Sequence, residues 1–568
     1  MNQQSSLTLR WPSSPLPAGA RDSLIGPGAP FELVEEKVAG ARMSVFARRP
    51  PNLGEVLRSA ADRFGARPYL VFPDRQFTFD SITAPVASAA AALQNHYGIR
   101  RGDRVAIAAA NSSEYMIALW AIISLGAIVV GLNGWWTGAE MSYAIGLTEP
   151  RLLFGDQRRL ERLGGQDIHG AEVLSFEDHF RALESYDEQL PDVLVDEDDP
   201  AFILFTSGTT GRPKGAMLSH RNCVHFGQAL LLGGAETALR LAAYGAAPDT
   251  PDPGCVISSS PVFHTSGLNG QVIAGAFSGM TTVFPPPGKW REDLHLELTE
   301  RHSATMWSLV PTQLWRLLER PDLDRYELSS LRRVSGGGTV WPPEILRALA
   351  ERLPWVFRHV GYGMTESTAM GTGLRGEATF EHPDSIGQPG PTVEIEVRDS
   401  ARSALGEGFR GEICIRSAGN FLGYWKNPEA TKQVLDDSGW YHTGDYGYHR
   451  GGLLYLDGRR SDLIIRGGEN VYPAEIENRL IEHPEIMEAA VIGSPHHILG
   501  QEVHAYVVPG PGSGLNEEDI RAWAAETLSA FKVPARVELV QELPHNAAGK
   551  VLKRFLENPG GIGDIVPD

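Results

Sequence analysis

A chain of 568 residues is too long for one hydrophobic core, and its length points to about three or four domains. Acidic residues outnumber basic ones 70 to 51, a net charge of −19 with no long basic run. That balance excludes a nucleic-acid partner and leaves any phosphate-bearing ligand to be gripped locally. Three scattered cysteines, Cys223, Cys255 and Cys414, offer neither metal-like spacing nor a disulfide framework, which fits a reducing cytoplasm.

The first thirty residues are polar and rich in proline and glycine, without the apolar core of a signal peptide, and residues 1–50 read as an irregular lead-in. Residues 115–132 carry no charge over eighteen positions, but Gly126 divides them. A helical pattern over 114–125 and a β-branched run over 127–132 predict a buried helix–turn–strand, not a membrane span. Strand candidates follow at 104–109, 151–154, 201–205, 256–260, 281–284, 305–309, 331–334 and 356–360, with helical runs such as 313–319 and 343–352 among them. This alternation predicts an α/β fold, a large domain of parallel-type sheets flanked by helices, with ligands at the carboxyl ends of strands. From residue 412 the pattern shifts to short strands and turns. Helices at 474–482 and 516–529 and strands at 489–492 and 504–508 predict a small α+β domain. The expected division is 1–460 and 461–568.

The segment Thr206-Ser207-Gly208-Thr209-Thr210-Gly211-Arg212-Pro213-Lys214-Gly215 follows a strand candidate and holds three glycines, four hydroxyls and a lysine. Glycine lets a polyphosphate approach the backbone N–H groups, hydroxyls add donors, and Lys214 adds a mobile charge. A P-loop needs Gly-Lys followed by Ser or Thr, whereas Lys214 lies between proline and glycine, so this is a different nucleotide loop. Ser335-Gly336-Gly337-Gly338 offers bare backbone to a flat ring or a chain, or makes a tight strand–helix connection. In Gly361-Tyr362-Gly363-Met364-Thr365-Glu366, Tyr362 suits base stacking, Thr365 a phosphate and Glu366 a hard Mg²⁺ ion; the plainer reading is a structural turn. Asp445, in Tyr441-His442-Thr443-Gly444-Asp445, can accept from both hydroxyls of a ribose or cap its own turn. Lys550 stands in the polar loop 544–553, where a lone lysine is usually just solvated.

In order and spacing these segments resemble the adenylate-forming superfamily of acyl-CoA synthetases, firefly-type luciferases and nonribosomal-peptide adenylation domains, from about residue 51 to 555. The resemblance implies that a carboxylic acid attacks the α-phosphorus of ATP, and that a thiol, coenzyme A, then displaces AMP. It implies that Thr206, Ser207, Gly208, Thr209, Thr210, Gly211 and Lys214 wrap the β- and γ-phosphates, with Thr209 and Glu366 at Mg²⁺. Thr365 would contact the α-phosphate, and Tyr362, Gly363, Gly336, Gly337 and Gly338 would flank adenine. Asp445 and Arg459 would hold the ribose, and Lys550 would bridge the acid and the α-phosphate. After adenylation the small, mobile domain would rotate and bring Gly467, Gly468 and Glu469 to the thiol tunnel. Two positions depart from the family pattern: Ser461 replaces the usual Asp or Lys at the hinge, and Val360 replaces a polar residue before Gly361.

By the same resemblance the acyl group lies between residues 263–267 and 336–338. His264 is either a gate or carboxylate neighbour, or a satisfied half-buried histidine. Three consecutive glycines suggest a pocket wall without side chains, suiting a bulky or extended apolar acid. The chain looks most like a fatty acyl-CoA synthetase acting on medium- or long-chain acids, with aryl or cyclic acids as runner-up. Carrier-protein loading, luciferase-like oxygenation and a non-catalytic sensor would use the same motifs. A cytoplasmic enzyme without an integral membrane segment is expected, with a homodimer among its open oligomeric states.

Overall fold

The computed structural model describes residue 16 and residues 19–184, 189–206, 213–243, 253–337, 341, 343–459, 462–466, 469–545 and 551–557. Arg104–Ala108, Ile128–Gly131, Leu152–Gly155, Glu172–Ser175 and Pro200–Thr206 run parallel in a seven-stranded sheet. Most of their residues are buried, which is why they read as continuous apolar runs instead of alternating ones. Lys214–Ser219 and Gly423–Tyr424 extend this sheet antiparallel.

A thirteen-stranded sheet has a parallel centre that includes Cys255–Ile257, Met306–Ser308, Arg333–Gly337 and Phe357–Tyr362. Its continuation from Thr372–Arg375 to Glu394–Arg398 is antiparallel, so the fold is α/β with mixed sheets. One face of the parallel strands packs Trp307, Val334, Val360 and Leu374 against helices Pro311–Leu318 and Pro343–Arg352. Burying side chains of that size contributes about 1.5–3 kcal/mol each.

The uncharged segment forms helix Ser113–Ser124, capped by the Ser112 hydroxyl, then a glycine turn and strand Ile128–Gly131. Gly126 takes φ 65°, a conformation that ends the helix and that a side chain resists. No helix among the described residues is long and apolar enough to cross a membrane.

The lead-in is less irregular than expected. Leu33–Val38 and Ala41–Phe46 form a hairpin through Ala39 and Gly40, both at positive φ, which buries Met43 and Val45 on one face and Phe46 on the other. The 24-residue helix His220–Ala243 was also unforeseen, because Gly227, Gly233 and Gly234 interrupt its pattern. Beyond residue 463 a five-stranded sheet with helices Pro473–Ile481 and Glu517–Ala525 closes its own core around Ile476, Val491, Val503 and Ile520.

Candidate active site

An open cleft of about 3130 Å³ runs between the strand ends of the large sheet and the C-terminal sheet. That is several times the volume of a typical ligand pocket, as befits a space between two folded units. Thr206, Lys214, His264, Gly336, Gly337, Tyr362, Gly363, Thr365, Glu366 and Asp445 all line it.

Thr206 and Lys214 stand opposite each other in the antiparallel pair that flanks the phosphate-loop segment. The Lys214 ammonium lies 5.1 Å from the Tyr424 ring centre, and the Tyr424 hydroxyl donates to Glu366 Oε1 at 2.8 Å. Glu366 is buried, and no lysine or arginine among the described residues pairs with it. A buried carboxylate without a cation is costly, so this oxygen donor fits the hard cation Mg²⁺.

Thr365–Ser367 is a single tight turn following Tyr362. Thr368 and Ala369 then take φ 54° and 63°, strained values for residues with side chains, held by the Ala369 N–H donating to Met364 C=O at 2.8 Å. Gly363 has to be glycine here, because a Cβ would stand 2.6 Å from the Ala369 carbonyl.

Tyr362 donates its hydroxyl to Asp445 Oδ2 at 2.8 Å. Asp445 faces Arg459 in the register of antiparallel strands Trp440–Arg450 and Leu453–Arg459. Its turn is braced by Thr443, whose hydroxyl donates to Ile413 C=O, and by Glu412, whose Oε1 accepts from the Gly444 N–H at 3.1 Å. His442 lies between Glu412 at 3.2 Å and Asp436 at 3.4 Å, with Cys414 Sγ 3.3 Å away. Burial and then Glu412 push the Cys414 thiol up to about 12, so it remains a protonated packing group.

Tyr424, Glu412 and His442 escaped sequence reasoning, since their partners lie on other strands.

The His264 ring makes no hydrogen bond among the described residues and packs against Phe263, ring centres 4.7 Å apart. Burial depresses it to about 4, so it is neutral at pH 7. Gly336 and Gly337 line the cleft with bare backbone, and the Cβ direction of each is packed. A Cβ at Gly336 would meet Leu309 C=O at 2.3 Å and Trp341 at 2.8 Å, and one at Gly337 would meet Gly361 C=O at 2.8 Å. These two glycines close a packed seam. Gly361 is less crowded, its Cβ position in ordinary contact with Gly336 C=O and the His359 ring, both at 3.9 Å.

Several predicted positions lie outside the described residues: Ser207, Gly208, Thr209, Thr210, Gly211, Gly338, Ser461, Gly467, Gly468 and Lys550, together with the side chains of Arg459 and Glu469. His545 and Val551, on either side of the Lys550 segment, form an antiparallel bridge at the cleft.

The AMP-binding enzyme family signature matches residues 57–425, and the AMP-binding enzyme C-terminal domain matches 475–550. Indoleacetate–CoA ligase of Aromatoleum aromaticum is 31% identical over 85% of this chain and 93% of its own length. The 3-[(3aS,4S,7aS)-7a-methyl-1,5-dioxo-octahydro-1H-inden-4-yl]propanoyl:CoA ligase of Rhodococcus jostii is 30% identical over 90% of this chain and 99% of its own. Among solved structures, o-succinylbenzoate CoA synthetase (MenE) of Bacillus subtilis with its acyl-adenylate intermediate superposes with a TM-score of 0.76 at 28% identity. That match covers 90% of this chain and 99% of that one. The chain belongs to the AMP-binding, adenylate-forming enzyme family. It is an acid–thiol ligase of the AMP-forming type.

Proposed function

We propose that this enzyme joins a medium-length or ring-bearing carboxylic acid to coenzyme A. In the first step an oxygen of the acid attacks the α-phosphorus of ATP, the bond to pyrophosphate breaks, and an acyl-adenylate forms. In the second a thiolate attacks the acyl carbon, the carbon–oxygen bond to AMP breaks, and the thioester is released with AMP. The observation that carries this reading is the pairing at one strand end of Tyr362 with Asp445 and of Tyr424 with Glu366. In this reading Asp445 is the sugar acceptor and Glu366 the metal-binding carboxylate, both lining the same cleft.

In this reading Tyr362 stacks on adenine, and Asp445 and Arg459 hold the ribose. Thr365 donates to the α-phosphate, while Thr206, Lys214 and residues 207–211 hold the β- and γ-phosphates. Glu366, with Thr209, would hold Mg²⁺, which neutralises phosphate charge when bound. His264, neutral and unpartnered, stands at the entrance for the acid. Lys550 draws the carboxylate and the α-phosphate together, two anions that otherwise repel. Residues 1–460 and 461–568 act as domains hinged at Ser461, and rotation exchanges Lys550 for Gly467, Gly468 and Glu469 at the thiol path. Ring-bearing acids are included because relatives at 30–31% identity are named for indoleacetate and for a bicyclic propanoyl group.

The test is AMP release from ATP with straight-chain, cyclic and aromatic acids, each with and without coenzyme A. AMP formation that depends on both acid and coenzyme A is expected. Acid-dependent pyrophosphate exchange without coenzyme A-dependent AMP would assign another acceptor, such as a carrier protein. Lys550→Ala should lower adenylation at least about 100-fold while retaining thioester formation from preformed acyl-adenylate. Equal loss of both half-reactions would contradict that division.

A further inference from the structure

Strands Gly411–Arg416 and Trp440–Arg450 are antiparallel neighbours in the large sheet, and Cys414 stands directly opposite His442. Glu412 lies two residues before Cys414, so both side chains leave the same face of their strand. Three different metal-ligating groups converge there. Cys414 Sγ is 3.3 Å from His442 Nδ1, and Glu412 Oε2 is 3.2 Å from the same nitrogen. All three donor atoms lie within 4.8 Å of one another, with Cys414 and His442 buried and Glu412 partly so.

One ring nitrogen cannot serve both neighbours with a single proton. If Nδ1 carries its hydrogen and donates to Glu412, the Cys414 thiol is left with the Glu412 carbonyl oxygen, 3.8 Å away. If Nδ1 accepts the thiol hydrogen instead, a carboxylate oxygen stands 3.2 Å from an unprotonated nitrogen with no hydrogen between them. A divalent ion would satisfy all three groups at once. Tetrahedral zinc, with bonds of about 2.0–2.3 Å, sets neighbouring nitrogen, oxygen and sulfur ligands roughly 3.3–3.6 Å apart. Both contacts to Nδ1 fall within a few tenths of an ångström of that spacing.

The groups behind these ligands have the matching arrangement. His442 Nε2 lies 3.4 Å from Asp436 Oδ2. Asp436 is itself fixed, its Oδ1 accepting the Ser438 and Trp440 N–H groups at 2.9 and 3.0 Å. A carboxylate so placed holds the hydrogen of a neutral ring on Nε2 and leaves Nδ1 to a metal. Glu412 Oε1 accepts the Gly444 N–H at 3.1 Å, which turns Oε2 towards the histidine. The charge balance has the same sense: Glu412, Asp436 and Glu396 act on Cys414 against the single guanidinium of Arg398.

We propose that Glu412 Oε2, Cys414 Sγ and His442 Nδ1 bind one zinc ion, with water from the cleft as the fourth ligand. Thiolate and imidazole select zinc over Mg²⁺, which prefers oxygen. On binding, the Cys414 S–H bond breaks, its proton leaves to solvent, and a sulfur–zinc bond forms. Glu412 and His442 line the cleft and give the ion its way in. The site is distinct from Glu366, which lies in the turn after Phe357–Tyr362. Its link to the cleft runs through Glu412: an ion that fixes Oε2 also fixes the Gly444 turn that presents Asp445.

The experiment titrates the full-length enzyme, stripped of metal with a chelator, with Zn²⁺ alone and with Co²⁺ alone. A single zinc should bind with a Kd of about 1 μM or tighter, and excess Mg²⁺ should not displace it. Cobalt should give a thiolate-to-metal charge-transfer absorption in the near ultraviolet that zinc erases. Cys414→Ser should lose that absorption and weaken zinc binding at least about 100-fold. Asp436→Asn should keep the absorption while weakening zinc about 10–100-fold, the mark of a positioning residue and not a ligand. Zinc should raise the thermal midpoint of the wild type and leave that of Cys414→Ser unchanged. If Cys414→Ser fails to fold, the double variant Cys223→Ala/Cys255→Ala, in which Cys414 is the one remaining thiol, decides in its place by keeping the absorption. No absorption in the wild type would overturn the proposal whatever the variants do. Absorption unchanged in Cys414→Ser, or lost in the double variant, would overturn it too and leave a hydrogen-bonded cluster.

Discussion

Tyr424 joins Lys214 and Glu366, the two charged groups that the proposed reading puts at the phosphates and the metal ion. Its ring lies under the Lys214 ammonium, and its hydroxyl holds Glu366 Oε1. Removing that hydroxyl leaves a buried carboxylate oxygen unsatisfied, at a cost of about 1–3 kcal/mol. Tyr424→Phe should therefore slow acid-dependent ATP–pyrophosphate exchange about 10-fold and raise the Mg²⁺ concentration for half-maximal rate. An unaltered rate and Mg²⁺ dependence would remove Tyr424 from the site. At this scale the sequence was informative where chemistry is local: Lys214, Tyr362, Glu366 and Asp445 stand within short motifs, and all four line the cleft. It was silent on Tyr424 and Glu412, whose partners lie 58 and 32 positions away and meet them only through the packing of two sheets and through strand register, respectively.

The turn after Phe357–Tyr362 is where one element decides the geometry of several groups. Gly363→Ala would drive a methyl group into the Ala369 carbonyl and displace Tyr362 and Thr365 together. The expected outcome is a loss of about 1–3 kcal/mol in stability and at least a 10-fold rise in KM for ATP, measured by thermal unfolding and initial rates. Retained KM with lowered stability would show that the turn is a packing feature only. The same steric reasoning exposes what pattern reading missed. Glycines at 336 and 337 look alike to a pocket and to a close-packed seam, and only the positions of Leu309, Trp341 and Gly361 distinguish them. The hairpin Leu33–Phe46 escaped because its alternation is short, and because its buried side depends on helix His220–Ala243, far along the chain.

Among the described residues burial holds several histidines neutral: His220 and His264 at about 4, His225 and His295 at about 3, and His359 well below the ordinary 6.5. His220 Nδ1 accepts the Leu53 N–H at 3.2 Å, a role that needs a neutral ring. A depressed folded value means that the unfolded chain binds more protons, so the stability is present above about pH 6.5 and is lost as the pH falls. The thermal midpoint should drop steadily from pH 7 to pH 5, and His225→Gln should flatten the slope. A level profile would mean that these rings are protonated inside the fold. A different consequence follows from where Tyr424 sits. It belongs to the edge of the seven-stranded sheet, whereas Glu366 closes a strand of the thirteen-stranded one. Tyr424 and Tyr441, one from each sheet, pack on the same Phe421 within one hydrophobic core, so the contact with Glu366 is held by packing that spans both sheets. In the proposed reading a bound nucleotide touches residues of both sheets, so it ties together surfaces that far-apart segments of the chain contribute.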